Sequence, residues 1–305
     1  TDRSRGLGDV YKRQVLNFTN YTVENQPENI SGTISNQPQE VVIKYVGQYV
    51  GETNGKVTAR YVNQNGKEIA GTVTASGNGL FGSPYTTEQK DIEHYEFVGI
   101  DAEGATKNGF YTDSIQTVTF IYQGKNLGEK GKITVEYQNQ EGKLLGEDFI
   151  TGRYGDSYDV SEKLLKEFRY YTRNPLPNNS KGTITDQPQK VIITYTGESF
   201  GNSSGKVTVK YINQNGDEIA DEVQANGSGL FGGSYTTEQK KIPNYEFKEV
   251  DSSNSGATGF YTESPQTVIY KYQGKEVGEA GKITVEYRNQ EGKLLDQAFI
   301  TGRYG

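Results

Sequence analysis

His94 is the only histidine among 305 residues, so any general acid–base or metal chemistry that needs an imidazole would have to use it. The stretch around it returns 150 residues later with Asn244 in its place. An amide cannot take over a proton shuttle, so His94 reads as an exposed loop residue. "NQNGDE" from Asn213 sets oxygen-bearing side chains at alternate positions, as a calcium loop does. Its counterpart "NQNGKE" puts Lys67 where Asp217 would bind, and Asn-Gly is a hairpin turn signal because both residues accept positive φ. The turn is the better reading. Asp and Glu together number 39, enough for a glycosidase pair by count, but such a pair needs a deep cleft that small modules do not offer. The sequence is therefore read as a non-enzyme with no metal and no cofactor.

Recognition by aromatic side chains is the chemistry that is left. "GNGLFGSPYTT" (residues 77–87) and "GSGLFGGSYTT" (residues 227–237) are the most distinctive matched stretch. Phe81, Tyr85, Phe231 and Tyr235 are its candidate contacts for a sugar face. The competing expectation is that these rings pin the loop onto the core, where one buried aromatic stabilises by about 1.5–3 kcal/mol.

The elements that must position these rings follow from the repeat. "GKVTARYVNQNGKEIA" from Gly55 returns as "GKVTVKYINQNGDEIA" from Gly205, and "GKITVEYQNQEGKLL" from Gly131 as "GKITVEYRNQEGKLL" from Gly281. The 150-residue unit is itself double. Its two halves, type A and type B, share G-K-[VI]-T-x-x-Y-x-N-Q-x-G, then G-x-x-Y, and close on Q-x-V-x-x-x-Y or a near variant. The expected order is the later part of a type-B module over 15–50, type A over 51–125, type B over 126–200, type A over 201–275 and the first part of type B over 276–305. On this reading the sequence is a piece of a longer array. Residues 1–14, "TDRSRGLGDVYKRQ", lack the Tyr and Leu pattern of the matching segment and resemble adapter read-through; they are set apart as non-native.

Within a module, Val57, Ala59 and Tyr61 alternate with Thr58, Arg60 and Val62, which predicts a half-buried strand, and Asn-Gly predicts the hairpin after it. Thr86 with Gln89 has capping-box spacing, and Leu164, Leu165 and Phe168 have helical spacing, so a short helix is expected to cross each sheet. Val118, Phe120, Tyr122 and Val191, Ile193, Tyr195 predict closing strands. The order is α+β.

These spaced Gly, Tyr and Gln-Val elements resemble the mucin-binding protein (MucBP) repeats of Gram-positive surface adhesins. The resemblance implies tandem ubiquitin-like β-grasp modules, export, wall anchoring, and host mucin or other glycans as partners. The net charge of −7 and the absence of a Lys/Arg block argue against nucleic acid, and no apolar run reaches the roughly 20 residues of a membrane span. The alternative function is a stalk that projects a separate binding domain.

Four linkers share one frame: "GQYVGETNG" from Gly47, "GKNLGEKG" from Gly124, "GESFGNSSG" from Gly197 and "GKEVGEAG" from Gly274. Each puts one apolar residue, Val50, Leu127, Phe200 or Val277, three places after its first glycine. A free tether has no use for such a side chain, so each of these four is expected to be largely buried at a module junction, making the array a semi-rigid rod.

Overall fold

In the computed structural model, residues 10–305 are described, except for the side chains of residues 162 and 163. The chain divides into two compact units: Thr1–Lys132 with Thr151–Ser157 and Thr183–Pro188, and Ile133–Ile150 with Tyr158–Gly182 and Gln189–Gly305.

In the first unit, Val57–Val62 forms a hairpin with Glu68–Thr74, and the closing strand Gln116–Gly124 lies parallel to the opening strand and antiparallel to Tyr95–Ile100. The register sets Val118 beside Ala59 and Phe120 beside Tyr61. The inward positions of both strands, with Tyr122, form one buried core, as the period-2 pattern requires. A three-stranded sheet of Ser76–Gly77, Pro84–Thr86 and Asn108–Phe110 completes the module. The hairpin turn is held from inside. Asn63 is buried, and its Oδ1 accepts the N–H groups of Asn65 and Lys67 at 3.0 Å each, while Gly66 takes φ 74°.

The second unit repeats this plan twice. Strands Ile133–Gln138, Leu144–Ile150, Gln189–Gly197 and Tyr171–Arg173 make the type-B sheet; Val207–Ile212, Glu218–Gln224, Gln266–Gly274 and Tyr245–Val250 make the second type-A sheet. In both, the opening and closing strands are parallel neighbours. Asn213 Oδ1 accepts from the backbone of Asn215 and Asp217 at 2.9 Å each, which is turn chemistry and not a calcium loop.

The expected α+β order and the helix in every β-grasp module do not hold. Among the described residues the only α-helix is the single turn Val160–Lys163 in the type-B module. Asp159 caps it by accepting the Ser161 N–H (2.8 Å), and its ion pair with Lys181, then its bonds to Ser161, hold the Asp159 carboxyl at about 2. The type-A modules have no α-helix, and Thr86 ends a strand.

Tyrosines explain why. Residues 87–94 follow that strand without regular structure. There the Tyr61 hydroxyl donates to the Glu88 carbonyl (2.8 Å), and the Tyr122 hydroxyl donates to the Lys90 carbonyl (2.7 Å) while accepting the Lys90 N–H (3.1 Å). In a helix these backbone groups would bond to one another along the axis; here the sheet takes them. The Tyr211 and Tyr272 hydroxyls likewise donate to the Glu238 and Lys240 carbonyls, and those of Tyr137 and Tyr195 to the Leu164 and Lys166 carbonyls.

Of residues 1–14, residues 1–9 lie outside the described residues. Val10–Lys12 form a strand paired with Ser31–Thr33. Tyr11 donates to the Asn29 carbonyl (3.1 Å) as Tyr158 donates to the Asn179 carbonyl (3.2 Å). "GDVY" ending at Tyr11 thus matches "GDSY" ending at Tyr158. The offset there is 147 and not 150, which hides the match from a fixed-offset comparison.

Burial raises the hydroxyl pKa of Tyr61, Tyr122, Tyr211 and Tyr272 above the ordinary 10.0. A folded-state pKa above the unfolded one gives stability that is complete below pH 10 and is lost as pH rises beyond it. Denaturation at a series of alkaline pH values should therefore show constant stability up to that point and a steep fall above it. Tyrosinate absorbance should rise in step with unfolding. Full ionisation of these rings in a still-folded chain would contradict the account.

Candidate functional site at the module joints

Tyr85 and Tyr235 are buried. Each stands edge-on to a second tyrosine, Tyr111 at 5.7 Å and Tyr261 at 5.6 Å, and its hydroxyl donates to a carbonyl, Thr106 at 3.1 Å and Gly256 at 3.2 Å. Neither ring has a face open to a sugar. Phe81 and Phe231 are part-buried and lie at joints, edge-on to Tyr21 and Tyr171 at 5.3 Å each. The glycine-rich loop therefore docks on the module before it.

That contact is one of four built alike. The loops carrying Phe81, Tyr154, Phe231 and Tyr304 each send a backbone N–H to a linker carbonyl: Gln48 at 2.9 Å, Lys125 at 3.0 Å, Glu198 at 2.8 Å and Lys275 at 2.9 Å. Each ring meets a tyrosine that begins a strand of the preceding sheet, and the Tyr95–Tyr154 and Tyr245–Tyr304 pairs both measure 5.4 Å. Immediately before that tyrosine stands a residue in the left-handed region: Asn20, His94, Tyr170 or Asn244, with φ of 64–66°. Its carbonyl accepts the linker N–H of Gln48, Lys125, Glu198 or Lys275 at 2.7–2.8 Å. Asn and His tolerate this conformation best among residues with a Cβ. His94 is thus a joint residue, stacked on Tyr154 at 4.5 Å. The first linker glycine is required by contact: a Cβ at Gly124 or Gly197 would collide with the carbonyl of Tyr154 or Phe231.

A glutamine locks three of these joints. Gln64 Oε1 accepts the Gly124 N–H (3.0 Å), and its Nε2 donates to the Tyr154 carbonyl (3.2 Å) and to Asp156 (2.7 Å). Gln140 accepts from Gly197 (3.0 Å) and donates to the Phe231 carbonyl (2.9 Å). Gln214 accepts from Gly274 (2.9 Å) and donates to the Tyr304 carbonyl (3.4 Å) and to Gly305. Each primary amide thus ties the end of its own module to the loop that follows. The sequence carries the signal, since Gln recurs in every N-Q-x-G, but the turn chemistry of Asn and Gly drew the reading instead.

The four linker side chains sit at the head of the following module. Val50 is buried in the first type-A core, and its N–H donates to the Gly79 carbonyl (2.8 Å). Leu127, Phe200 and Val277 are only part-buried, short of the large burial expected for all four. Phe200 lies between joint rings, 5.2 Å from Tyr170 and 6.1 Å from Phe231.

In the first unit the joint leaves an open groove of about 480 Å³, whose lining includes Asn65, Lys67, Tyr95, Tyr154, Ser157 and Thr185. Rings, amides, hydroxyls, the Lys67 cation and the Glu68 carboxylate line it together. Among the described residues no cluster of three or more His, Cys, Asp or Glu could hold a metal ion.

Residues 2–46, 56–123, 132–196, 206–273 and 282–305 match the MucBP domain, so each sheet and each partial module carries the same pattern. The chain belongs to the MucBP family. Among its relatives, Internalin J of Listeria monocytogenes serotype 4b (strain F2365) is 31% identical over 293 residues, 96% of this chain and 30% of that protein. Internalin I of the same strain is 32% identical over 254 residues, 83% of this chain and 13% of that protein. This MucBP chain thus spans less than a third of the length of either. Among solved structures, the type 2 repeat of the mucus binding protein MUB from Lactobacillus reuteri aligns over 47% of this chain and 99% of its own, at 18% identity and a TM-score of 0.21.

Replacing Gln140 by Ala should leave the Gly197 N–H and the Phe231 carbonyl without this partner, at a cost of about 1–3 kcal/mol. Amide exchange at Gly197 should quicken. Gln140→Glu keeps the acceptor for Gly197 and loses the donor for Phe231, so it should restore protection at Gly197 alone. Unchanged exchange in Gln140→Ala would refute the lock.

Proposed function

We propose that this MucBP chain is a section of a repetitive bacterial surface adhesin, exported and held at the cell wall, whose modules bind host mucin or other glycans weakly and gain strength by number. What carries the reading is the run of five MucBP matches along one chain, in the family to which the sequence belongs. Linked weak sites raise one another's effective concentration, so a per-module affinity too low to hold a cell suffices in series. The chain acts by binding, without catalysis or cofactor. Among the described residues no helix is long and apolar enough to cross a membrane.

The joint groove supports a place for the sugar better than the buried Tyr85 and Tyr235 do. Tyr95 and Tyr154 offer ring edges and hydroxyls beside Lys67 and Thr185, a mixture suited to a polyol with one apolar face. On surfaces coated with mucin glycopeptides, retention should grow steeply with coating density. Lys67→Ala with Thr185→Ala should weaken it several-fold and leave the thermal unfolding unchanged. No retention on any mucin glycan at high density would defeat the binding reading.

The second reading, a stalk, is favoured by one separate observation. Opening and closing strands of each complete module are parallel neighbours over six paired positions. Tension applied through the chain pulls them past each other, so their hydrogen bonds share the load and do not open one by one. Stretched by its ends, the chain should unfold in discrete high-force steps. Arg60→Pro, which removes a donor from the opening strand on the side that faces the closing strand, should delete one step.

A further inference from the structure

Tyr85 and Tyr235 are buried beneath a small sheet whose other side faces solvent. In the second type-A module that sheet is Asn226–Gly227, Ser234–Thr236 and Thr258–Phe260. Alternation turns Tyr235 inward, where a Cβ on its partner Gly259 would strike the Tyr235 hydroxyl. It turns Asn226, Thr236, Thr258, Ser234 and Phe260 outward, and all five are exposed. The register sets Asn226, Thr236 and Thr258 in one row across the three strands, and Phe260 beside Ser234. The first type-A module repeats the face, with Ser76, Thr86 and Asn108 in the row and Phe110 beside Pro84.

A single exposed apolar side chain is ordinary, but these two phenylalanines have more in common than exposure. Phe110 is 64% and Phe260 51% exposed. Phe260 is preceded in the chain by a complete type-B module and Phe110 is followed by one, so neither exposure hangs on where the sequence begins or ends. Ile115 and Val98, comparably exposed in the first type-A module, give way to Pro265 and Lys248 in the second, while the phenylalanine stays. The type-B module differs at the same places. Its sheet of Ser157–Asp159 and Lys181–Thr183 carries Thr183 at the phenylalanine position and an Asp159–Lys181 ion pair (2.6 Å) in the row. The type-A face is thus an uncharged strip with one ring. At the Phe260 end, the type-B turn adds Glu141, which accepts the Ser234 N–H and hydroxyl at 3.3 Å each, and Lys143, whose Nζ lies 5.7 Å from the ring centre.

We propose that this face is a second glycan site, present once in each type-A module and separate from the joint groove, and that it takes an uncharged pyranose laid flat. The C–H face of the sugar stacks on Phe110 or Phe260, and its hydroxyls bond along the row. The inference rests on the glycan reading and adds to it the module type that binds and the kind of sugar. The negative face of an aromatic ring attracts C–H groups that carry partial positive charge, and hydroxyl and amide side chains both donate and accept, as sugar hydroxyls do. Neighbouring strands lie about 4.8 Å apart, comparable to the distance between alternate hydroxyls around a pyranose. An anionic sugar would meet the Glu141 carboxylate at one end. So open a site holds its ligand weakly, and it is the kind of unit that gains from repetition.

Amide NMR of the whole chain, titrated with the methyl glycosides of glucose, galactose and N-acetylgalactosamine, tests the contact. At least one sugar should shift the signals of Thr236, Thr258 and Phe260 together with those of Thr86, Asn108 and Phe110. Phe260→Thr installs the residue that the type-B module carries at this register, so it should leave the circular dichroism unaltered and erase the shifts in its own module alone. Phe260→Tyr keeps a ring and should restore them. No shift on either face with any of the three sugars would overturn the proposal. On mucin glycopeptide surfaces, Phe110→Thr with Phe260→Thr should lower retention about tenfold or more, since two linked sites are lost. If the native chain is retained and this double variant is retained equally, the site falls and the glycan reading stands; if the native chain is not retained at all, both fall. A double variant that loses retention equally on the peptide stripped of its glycans would mark the face as a peptide site and overturn the proposal as well.

Discussion

The hydroxyl of a sheet tyrosine bonded to a backbone carbonyl is the interaction on which each complete module rests. A sheet of four strands leaves one face to cover, and a domain of this size has little apolar material to cover it with. In place of a helix, the module lays an irregular segment over the sheet. Such a segment has carbonyls and amides that no regular ladder satisfies, and burying them unpaired costs more than a hydrogen bond returns. Pairs such as Tyr61 and Tyr122 resolve this, because the ring supplies the apolar core and the hydroxyl supplies the partner for Glu88 or Lys90. This accounts for a composition with 23 Tyr and no Trp.

The joints apply the same economy with other groups. Linker N–H groups bond to carbonyls of residues held at positive φ, glycines admit a carbonyl where a Cβ would not fit, and one glutamine faces both ways. Apolar packing is present at each joint but modest, as the part-buried Leu127, Phe200 and Val277 show. Direction at a joint comes from hydrogen-bond geometry, which is specific, more than from contact area, which is not.

Strands and hairpins were legible because period-2 alternation and Asn-Gly turns are local signals, and they stand where Val57–Val62 and Gln116–Gly124 form. The helix was not. Thr86 and Gln89 have the spacing of a cap, but spacing cannot reveal that Tyr122, more than thirty positions away, already holds both polar backbone groups of Lys90. Tertiary partners overrode the local signal. The aromatic loop was half legible: its rings were expected either to meet a ligand or to pin the loop, and the fold places Tyr85 inside and Phe81 against Tyr21. Gln64 was hidden for another reason, since its partners lie about 60 and 90 positions ahead and nothing local distinguishes it from a solvated turn residue.

The glutamine also has an evolutionary consequence. Its partners, in every joint where it acts, include a backbone N–H and a backbone carbonyl, groups that every module presents whatever its side chains. A type-A loop bearing Phe231 and a type-B loop bearing Tyr154 are accepted by the same amide. Unequal recombination between copies could then lengthen or shorten such a gene by whole cassettes, and each new neighbour would find its docking partner already in place.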